Sequence, residues 1–184
     1  LLNTSGAGEA IIDFAKSIAG GKRGGPAKVA ILSSALFGSI SGSAVANVVV
    51  TGTFTIPLMK KTGYDSHFAG AVEAVASTGG QITPPVLGAA AFLIAEVLGV
   101  PYSKIVIATI IPALLYYICL FAVVDFEAAK KNLLGLSKEE LPRMNQVFKK
   151  HGLLLFPILV LLFFLVVVGL SPLKSALYSA ISVI

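Results

Sequence analysis

Two short stretches hold most of the residues that could do chemistry in this sequence. The first is Gly38-Ser39-Ile40-Ser41-Gly42-Ser43-Ala44-Val45-Ala46-Asn47, and the second is Ser77-Thr78-Gly79-Gly80-Gln81-Ile82-Thr83-Pro84-Pro85. Both combine glycine with hydroxyl and amide side chains, and both interrupt apolar sequence. A helix that stops leaves unpaired carbonyls and a partial negative charge, which suits a cation such as Na⁺. A helix that starts offers N–H groups and a partial positive charge, which suits a carboxylate. Discontinuous helices around a midplane site hold ion and substrate in many secondary transporters. Ser39, Ser41, Gly42, Ser43, Asn47, Thr78, Gly79 and Gly80 are therefore candidate ligands of a sodium ion. Ser43, Gln81 and Thr83 are candidate contacts to a small anion. These residues point to an ion-coupled carrier of small anions.

The elements that must position them follow from chain length and breakers. Ala27–Phe37 and Val48–Leu58, eleven residues each, read as membrane-quality sequence on either side of the first stretch. At a rise of about 1.5 Å per residue each reaches roughly 17 Å, against a hydrocarbon core of about 30 Å. Irregular backbone at membrane depth survives only where protein or a water-filled cavity satisfies it. Residues 27–58 are thus expected to form a re-entrant hairpin with its Gly/Ser tip near the membrane middle. In the second stretch, two glycines and two prolines within Gly79–Pro85 cannot continue a helix. Residues 59–103 are expected to hold one broken transmembrane helix, its halves being Phe68–Thr78 and Val86–Leu98.

Composition sets the class. The chain has 184 residues, 56% of them hydrophobic and 12% charged, about half the charged fraction of a soluble domain. The expectation is an all-α, multi-pass membrane protein. The formal net charge of +5 does not imply nucleic acid, because the basic residues sit in loops between apolar segments, as at a cytoplasmic membrane face. Cys119 alone excludes a disulfide framework and a cysteine metal site, and no cofactor beyond Na⁺ as coupling ion is implied. No HExxH, GxSxG or paired intramembrane aspartates occur, so an enzyme is not expected. The first residue is Leu, and Lys174–Ile184 reads as the start of a further helix; the chain reads as a piece of something longer.

Residues 1–26 read as an amphipathic helix over 6–19, carrying Glu9, Asp13 and Lys16, followed by a basic Gly/Pro loop. The helix either lies along the interface or braces a neighbour. Residues 104–184 contain two full spans, Ile105–Val124 with Pro112 as a kink and Leu153–Leu170. Between them lies a cytoplasmic loop over 125–151 with six Lys/Arg. Ser137-Lys138-Glu139-Glu140 predicts a capping box and a short surface helix. If 27–58 doubles back, the basic loops at 16–28, 60–61 and 125–151 all share one side, as the positive-inside rule asks.

Several residues carry blander readings as well. The Gly/Ser run could serve small-residue helix packing, and Asn47 could cap the second arm. Gln81 and Thr83 could satisfy freed backbone. Glu73 reads as structural, reaching solvent or pairing with a lysine, although an ionisable group at membrane depth also suggests function. Glu96 reads as interfacial, His67 and His151 as border residues, and Cys119 as inert core. Tyr64, Tyr102, Tyr116 and Tyr117 fit interface belts or helix packing.

Three segments also carry a resemblance. Gly38-Ser-Ile-Ser-Gly-Ser-Ala-Val-Ala-Asn47, Thr55-Ile-Pro-Leu-Met-Lys-Lys-Thr-Gly-Tyr64 and Ala69-Gly-Ala-Val-Glu-Ala-Val-Ala-Ser-Thr-Gly-Gly-Gln-Ile-Thr-Pro-Pro85 resemble the large membrane subunit of TRAP (tripartite ATP-independent periplasmic) transporters. Asp125–Lys130 and Leu136–Arg143 look like the fused permeases of the TAXI-type branch. The resemblance covers roughly residues 1–170 and is most specific in 38–85. It implies a place in a bacterial or archaeal cytoplasmic (inner) membrane and sodium-driven import of an organic acid delivered by a periplasmic substrate-binding protein, with a small membrane subunit, separate or fused, as second partner. It also implies an elevator in which a transport domain of two inverted hairpins slides against a scaffold; this chain would supply one half and not transport by itself. The alternatives are a binding-protein-independent sodium/carboxylate carrier and a channel, the latter disfavoured by the paired breaks.

Overall fold

The structure, a computed structural model, describes residues 6–144 together with 147, 160, 163, 164, 168 and 172–181. Apart from four of its residues, the span expected over Leu153–Leu170 lies outside this set, as does His151. Every element among the described residues is helical. They are α1 (Ala7–Ala15), prolonged by a wider π-type turn (Lys16–Gly20), α2 (Gly25–Ser41) and α3 (Ala44–Lys61). Then come α4 (Ser66–Gly79) with a 3₁₀ turn (Gly80–Ile82), α5 (Ala90–Leu98), α6 (Tyr102–Lys130) and α7 (Pro172–Ile181).

α2 opens with Pro26 in its first turn, where the missing N–H costs no hydrogen bond. It closes at Gly42, whose φ of +61° and N–H to the Gly38 carbonyl (2.8 Å) make a left-handed helix end. A Cβ there would run into the Leu87 carbonyl oxygen, so only glycine fits. Ser43 then caps α3, its hydroxyl accepting from the Ala46 N–H at 3.3 Å. The chain doubles back within two residues, and α3 returns along α2 with the Asn47 amide donating to the Ser34 carbonyl (2.8 Å).

The arms are longer than their apolar cores suggested. α2 has 17 residues and α3 has 18, so they reach about 25 and 27 Å at 1.5 Å per residue. Gly38 and Ser41 are not helix breakers here, since a glycine costs a helix only about 1 kcal/mol and tertiary contacts offset that. Ser39 likewise satisfies its hydroxyl on the Leu36 carbonyl inside the helix (2.8 Å). Length therefore does not decide the fold-back; contacts between the arms do.

α4 packs against both arms with Ala69, Val72, Glu73, Ala76 and Ser77 buried, the spacing of one helix face. A shared core joins Ala27, Ala30 and Ile31 of α2, Met59 of α3, α4, and Leu120, Val124 and Ala128 of α6. Small side chains let these backbones approach closely. α1 braces the pair, packing Ile12, Ala15 and the following Ala19 on Val29 of α2. α5 leans on α6 through Leu87, Ala91 and Val106. α5 begins at Ala90 rather than near Val86, because Pro84-Pro85 and the turn to Gly88 occupy the residues between.

α6 alone, among the described residues, is long and apolar enough to cross a membrane. Its 29 residues span about 44 Å, and Pro112 lies within it without interrupting the helix. The helix runs six residues past Val124 to Lys130, so the polar loop starts at Lys131 and not Asp125. Cys119 is exposed on this helix rather than sitting in the core. The capping box at Ser137 forms its reach-back bond, Ser137 N–H to Glu140 Oε2 at 3.3 Å. Yet residues 138–140 make only a turn: Leu141 precedes Pro142, which disfavours helical backbone at that step.

The polar connections meet at one end. Asp125 accepts from Arg23 and Lys28, Lys131 donates to Asp65, and Lys61 pairs with Glu140 at 3.1 Å. Backbone bonds tie the same loops, from Gly24 N–H to Leu133 O (3.3 Å) and from Leu136 N–H to Gly20 O (2.8 Å).

Candidate functional site

The two interruptions cross. Gly38 of α2 and Gly80, at the end of α4, touch backbone to backbone: a Cβ on Gly80 would stand 2.7 Å from the Gly38 Cα. Asn47 of α3 is fully buried against both, its Nδ2 3.1 Å from where either Cβ would be. The Val86 N–H donates to the Ser39 carbonyl at 3.2 Å, a second tie between hairpin and break. Thus Gly38, Ser39, Asn47, Gly79 and Gly80 are drawn to one place. The carbonyls of Gly38, Ser39 and Gly80 accept from the N–H groups of Gly42, Val86 and Thr83, and the Gly79 carbonyl accepts from the Thr83 hydroxyl; a carbonyl oxygen carries two lone pairs.

The remaining candidates sit around this crossing unequally. Ser41 and Gly42 are half-buried at the tip and Ser43 is exposed, the Ser41 hydroxyl accepting from the Ser43 N–H at 3.4 Å. The Thr78 hydroxyl is exposed and donates back to the Ala74 carbonyl (2.8 Å); its neighbour Ser77 carries the inward hydroxyl. Gln81 is exposed. Thr83 donates to the Gly79 carbonyl at 2.7 Å and lies 3.2 Å from the Tyr117 hydroxyl, so it secures the break itself. Tyr116 and Tyr117 serve there too, donating to the carbonyls of Val75 (2.8 Å) and Ala76 (3.3 Å).

Sequence reasoning misjudged Glu73. Its side chain neither reaches solvent nor meets a lysine; it is fully buried between α2, α3 and α4. Ser34 donates to it at 3.1 Å and Ser77 at 3.0 Å, and the hydroxyls of Thr51 and Thr55 donate as well. Gly52 makes the room, since a Cβ there would stand 3.2 Å from the Glu73 Cγ. The signal was present as a stripe. Asn47, Thr51, Thr55 and Met59 recur every fourth residue on α3, and Glu73 and Ser77 do so on α4. Such a spacing puts polar side chains on one buried helix face.

At the polar end the charges are mutually compensated. The Arg23 hydrogen bond, then that of Lys28, holds the Asp125 carboxyl down at about 2. Lys131 draws Asp65 below the usual carboxylate range, and Lys61 with Ser137 does the same for Glu140. No group of three His, Cys, Asp or Glu side chains suited to a metal occurs among the described residues.

A family profile described as "Tripartite ATP-independent periplasmic transporter, DctM component" matches residues 1–184. A putative TRAP transporter large permease protein of Haemophilus influenzae is 32% identical over 162 residues, covering 88% of this chain and 38% of that protein. The C4-dicarboxylate TRAP transporter large permease protein DctM of Pseudomonas aeruginosa is 32% identical over 161 residues, covering 86% and 37%. The sialic acid TRAP transporter permease protein SiaT of Haemophilus influenzae is 35% identical over 131 residues, covering 71% and 21%. The chain thus spans well under half the length of these curated relatives.

Proposed function

Because this chain belongs to the DctM-component family of tripartite ATP-independent periplasmic transporters, we propose that it is the ion-binding part of a sodium-coupled permease subunit. The permease imports a small organic acid handed over by a periplasmic binding protein, alongside a small membrane subunit. Relatives named for sialic acid and C4-dicarboxylates suggest the substrate class: small molecules bearing carboxylates.

The observation that carries this reading is the Gly38–Gly80 crossing under Asn47. Two helices end there, α2 at Ser41 and α4 at Gly79, and both ends direct partial negative charge and spare carbonyl lone pairs toward the same region. That field favours Na⁺, with the Asn47 amide oxygen and the tip residues Ser39, Ser41, Gly42 and Ser43 completing the ligands beside Thr78, Gly79 and Gly80. α3 starts at the same tip, capped by exposed Ser43; the N–H groups that its first turn leaves without helical partners suit a substrate carboxylate, with exposed Gln81 as a further contact. Thr83 supports this edge through the Gly79 carbonyl. In the bilayer α2 and α3 form a re-entrant pair, α6 spans, and the clustered basic loops face the cytoplasm. The hairpin and the broken helix, α2–α5, are the moving part of an elevator.

The test uses the full-length permease with its small subunit and binding protein in liposomes. An inward Na⁺ gradient drives uptake, and Asn47→Ala and Ser41→Ala raise the Na⁺ concentration needed for half-maximal rate. Uptake that is equally fast without Na⁺ refutes the coupling, and uptake without the binding protein refutes the tripartite assignment.

A further inference from the structure

We propose that the Glu73 carboxylate and the four hydroxyls around it form a site for a monovalent alkali cation. It lies one helical turn along α3 from the Gly38–Gly80 crossing and is linked to it through Thr51 and Asn47. The proposal rests on the reading of the chain as an ion-coupled permease, and it concerns residues that reading does not use.

The first argument is charge. Glu73 is 0% exposed, and among the described residues it takes part in no ion pair. Hydroxyl donors satisfy its lone pairs but bring no positive charge, and a buried charge without a counter-charge is costly. A bound cation supplies what the protein does not.

The second argument is ligand chemistry. Ser34, Thr51, Thr55 and Ser77 present oxygens that donate or accept as the hydroxyl turns. Two of them have a second acceptor already in place. Thr55 reaches the Thr51 carbonyl at 3.0 Å, and Thr51 reaches the Asn47 carbonyl at 2.8 Å. When a cation enters, these protons turn to those carbonyls and leave lone pairs facing the ion. An all-oxygen cluster suits hard cations and offers nothing to soft metals. A single carboxylate among neutral hydroxyls balances one positive charge, not two.

The third argument is connection. The Thr51 hydroxyl also lies 3.2 Å from the Asn47 Oδ1, and it has one proton to give. Occupancy at Glu73 changes where that proton goes, and with it the hold of Asn47 on the crossing. Loading of the buried site thereby sets the geometry of the interrupted helix ends.

The experiment measures Na⁺-dependent thermal stabilisation and Na⁺-driven uptake of the full-length permease, with choline as the inert cation. Glu73→Gln keeps size and an acceptor oxygen while removing the charge. Thr55→Val keeps volume while removing one oxygen, and Thr55→Ser restores it. We expect the apparent Na⁺ affinity to fall about 10–100-fold in Glu73→Gln, the scale of loss when a group that tunes a metal site is removed. It falls in Thr55→Val too and recovers in Thr55→Ser, a rescue that lost packing alone would not give. Wild-type Na⁺ affinity in Glu73→Gln or Thr55→Val, with Na⁺ response lost in Asn47→Ala, overturns this site and leaves the proposed function standing. A wild-type protein whose melting and uptake both ignore Na⁺ removes both. If Na⁺ leaves melting unchanged while a pH gradient drives uptake, the site takes a proton and the proposal falls.

Discussion

Placing a methyl group at the Gly38–Gly80 crossing is the sharpest perturbation of this fold. In Gly80→Ala the new Cβ would sit 2.7 Å from the Gly38 Cα and 3.1 Å from the Asn47 Nδ2. Non-bonded carbons prefer about 3.5–4.0 Å, so α2 and the end of α4 must separate by about 1 Å. No flexible side chain can absorb this, because the nearest atom is backbone. Overpacking of this kind costs about 1–3 kcal/mol, and for a domain of this size each kcal/mol lowers the melting temperature by about 2–4 °C. Gly70→Ala is the matched control: it lies on the same helix, and its Cβ would meet nothing within 4 Å. There alanine gains up to about 1 kcal/mol from helix propensity. The two variants, melted side by side in detergent as full-length permeases, should move in opposite directions, and Gly80→Ala should also weaken Na⁺-dependent uptake. If Gly80→Ala melts with or above Gly70→Ala, the close crossing is wrong, and the ion site built on it goes too.

Other consequences can be checked separately. Lys22→Cys, Lys61→Cys and Lys138→Cys, each in a cysteine-free full-length background, should react with an impermeant maleimide from one side of the membrane only; labelling from opposite sides excludes the re-entrant pair. Cys119, exposed on the apolar face of α6, should react in detergent but resist the same reagent in the bilayer, since an impermeant, polar reagent does not enter the hydrocarbon core. Asp125→Asn should loosen the loop cluster and speed amide exchange at Gly24 and Leu136, the two N–H groups that tie the loops, with little effect on Na⁺ affinity. Acid should act alike. Asp125 is held at about 2 against an ordinary 3.8, so its contribution is complete above pH about 4 and lost as pH falls toward about 2. Exchange at those two amides that stays flat across this range contradicts the pairing.

Much of the arrangement is legible in residue order. The Gly/Ser run, the Gly-Gly and Pro-Pro break and the basic loops announce where helices stop, because glycine, proline and charge have local or near-local effects. Arm lengths were underestimated for the same reason. Gly38 and Gly25-Pro26 look like boundaries when read alone, yet α2 runs from Gly25 to Ser41 because neighbouring helices stabilise those residues. Asp125 and Glu127 likewise read as loop, and α6 keeps them because Arg23, Lys28 and Lys131 are there to meet them.

Sequence by itself determined an all-helical chain, its two interruptions and its family. Only the tertiary structure decided which polar groups face each other: Ser77 turned inward and Thr78 outward, and Glu73 enclosed by hydroxyls from 18 to 39 residues away along with one on its own helix. The reason is that a helix's breaks are written in its own residues, whereas the partners of a buried side chain are set by how separate helices rotate and approach. That rotation depends on glycine and alanine contacts at Gly38, Gly52 and Gly80, which carry no sign of their partners along the chain.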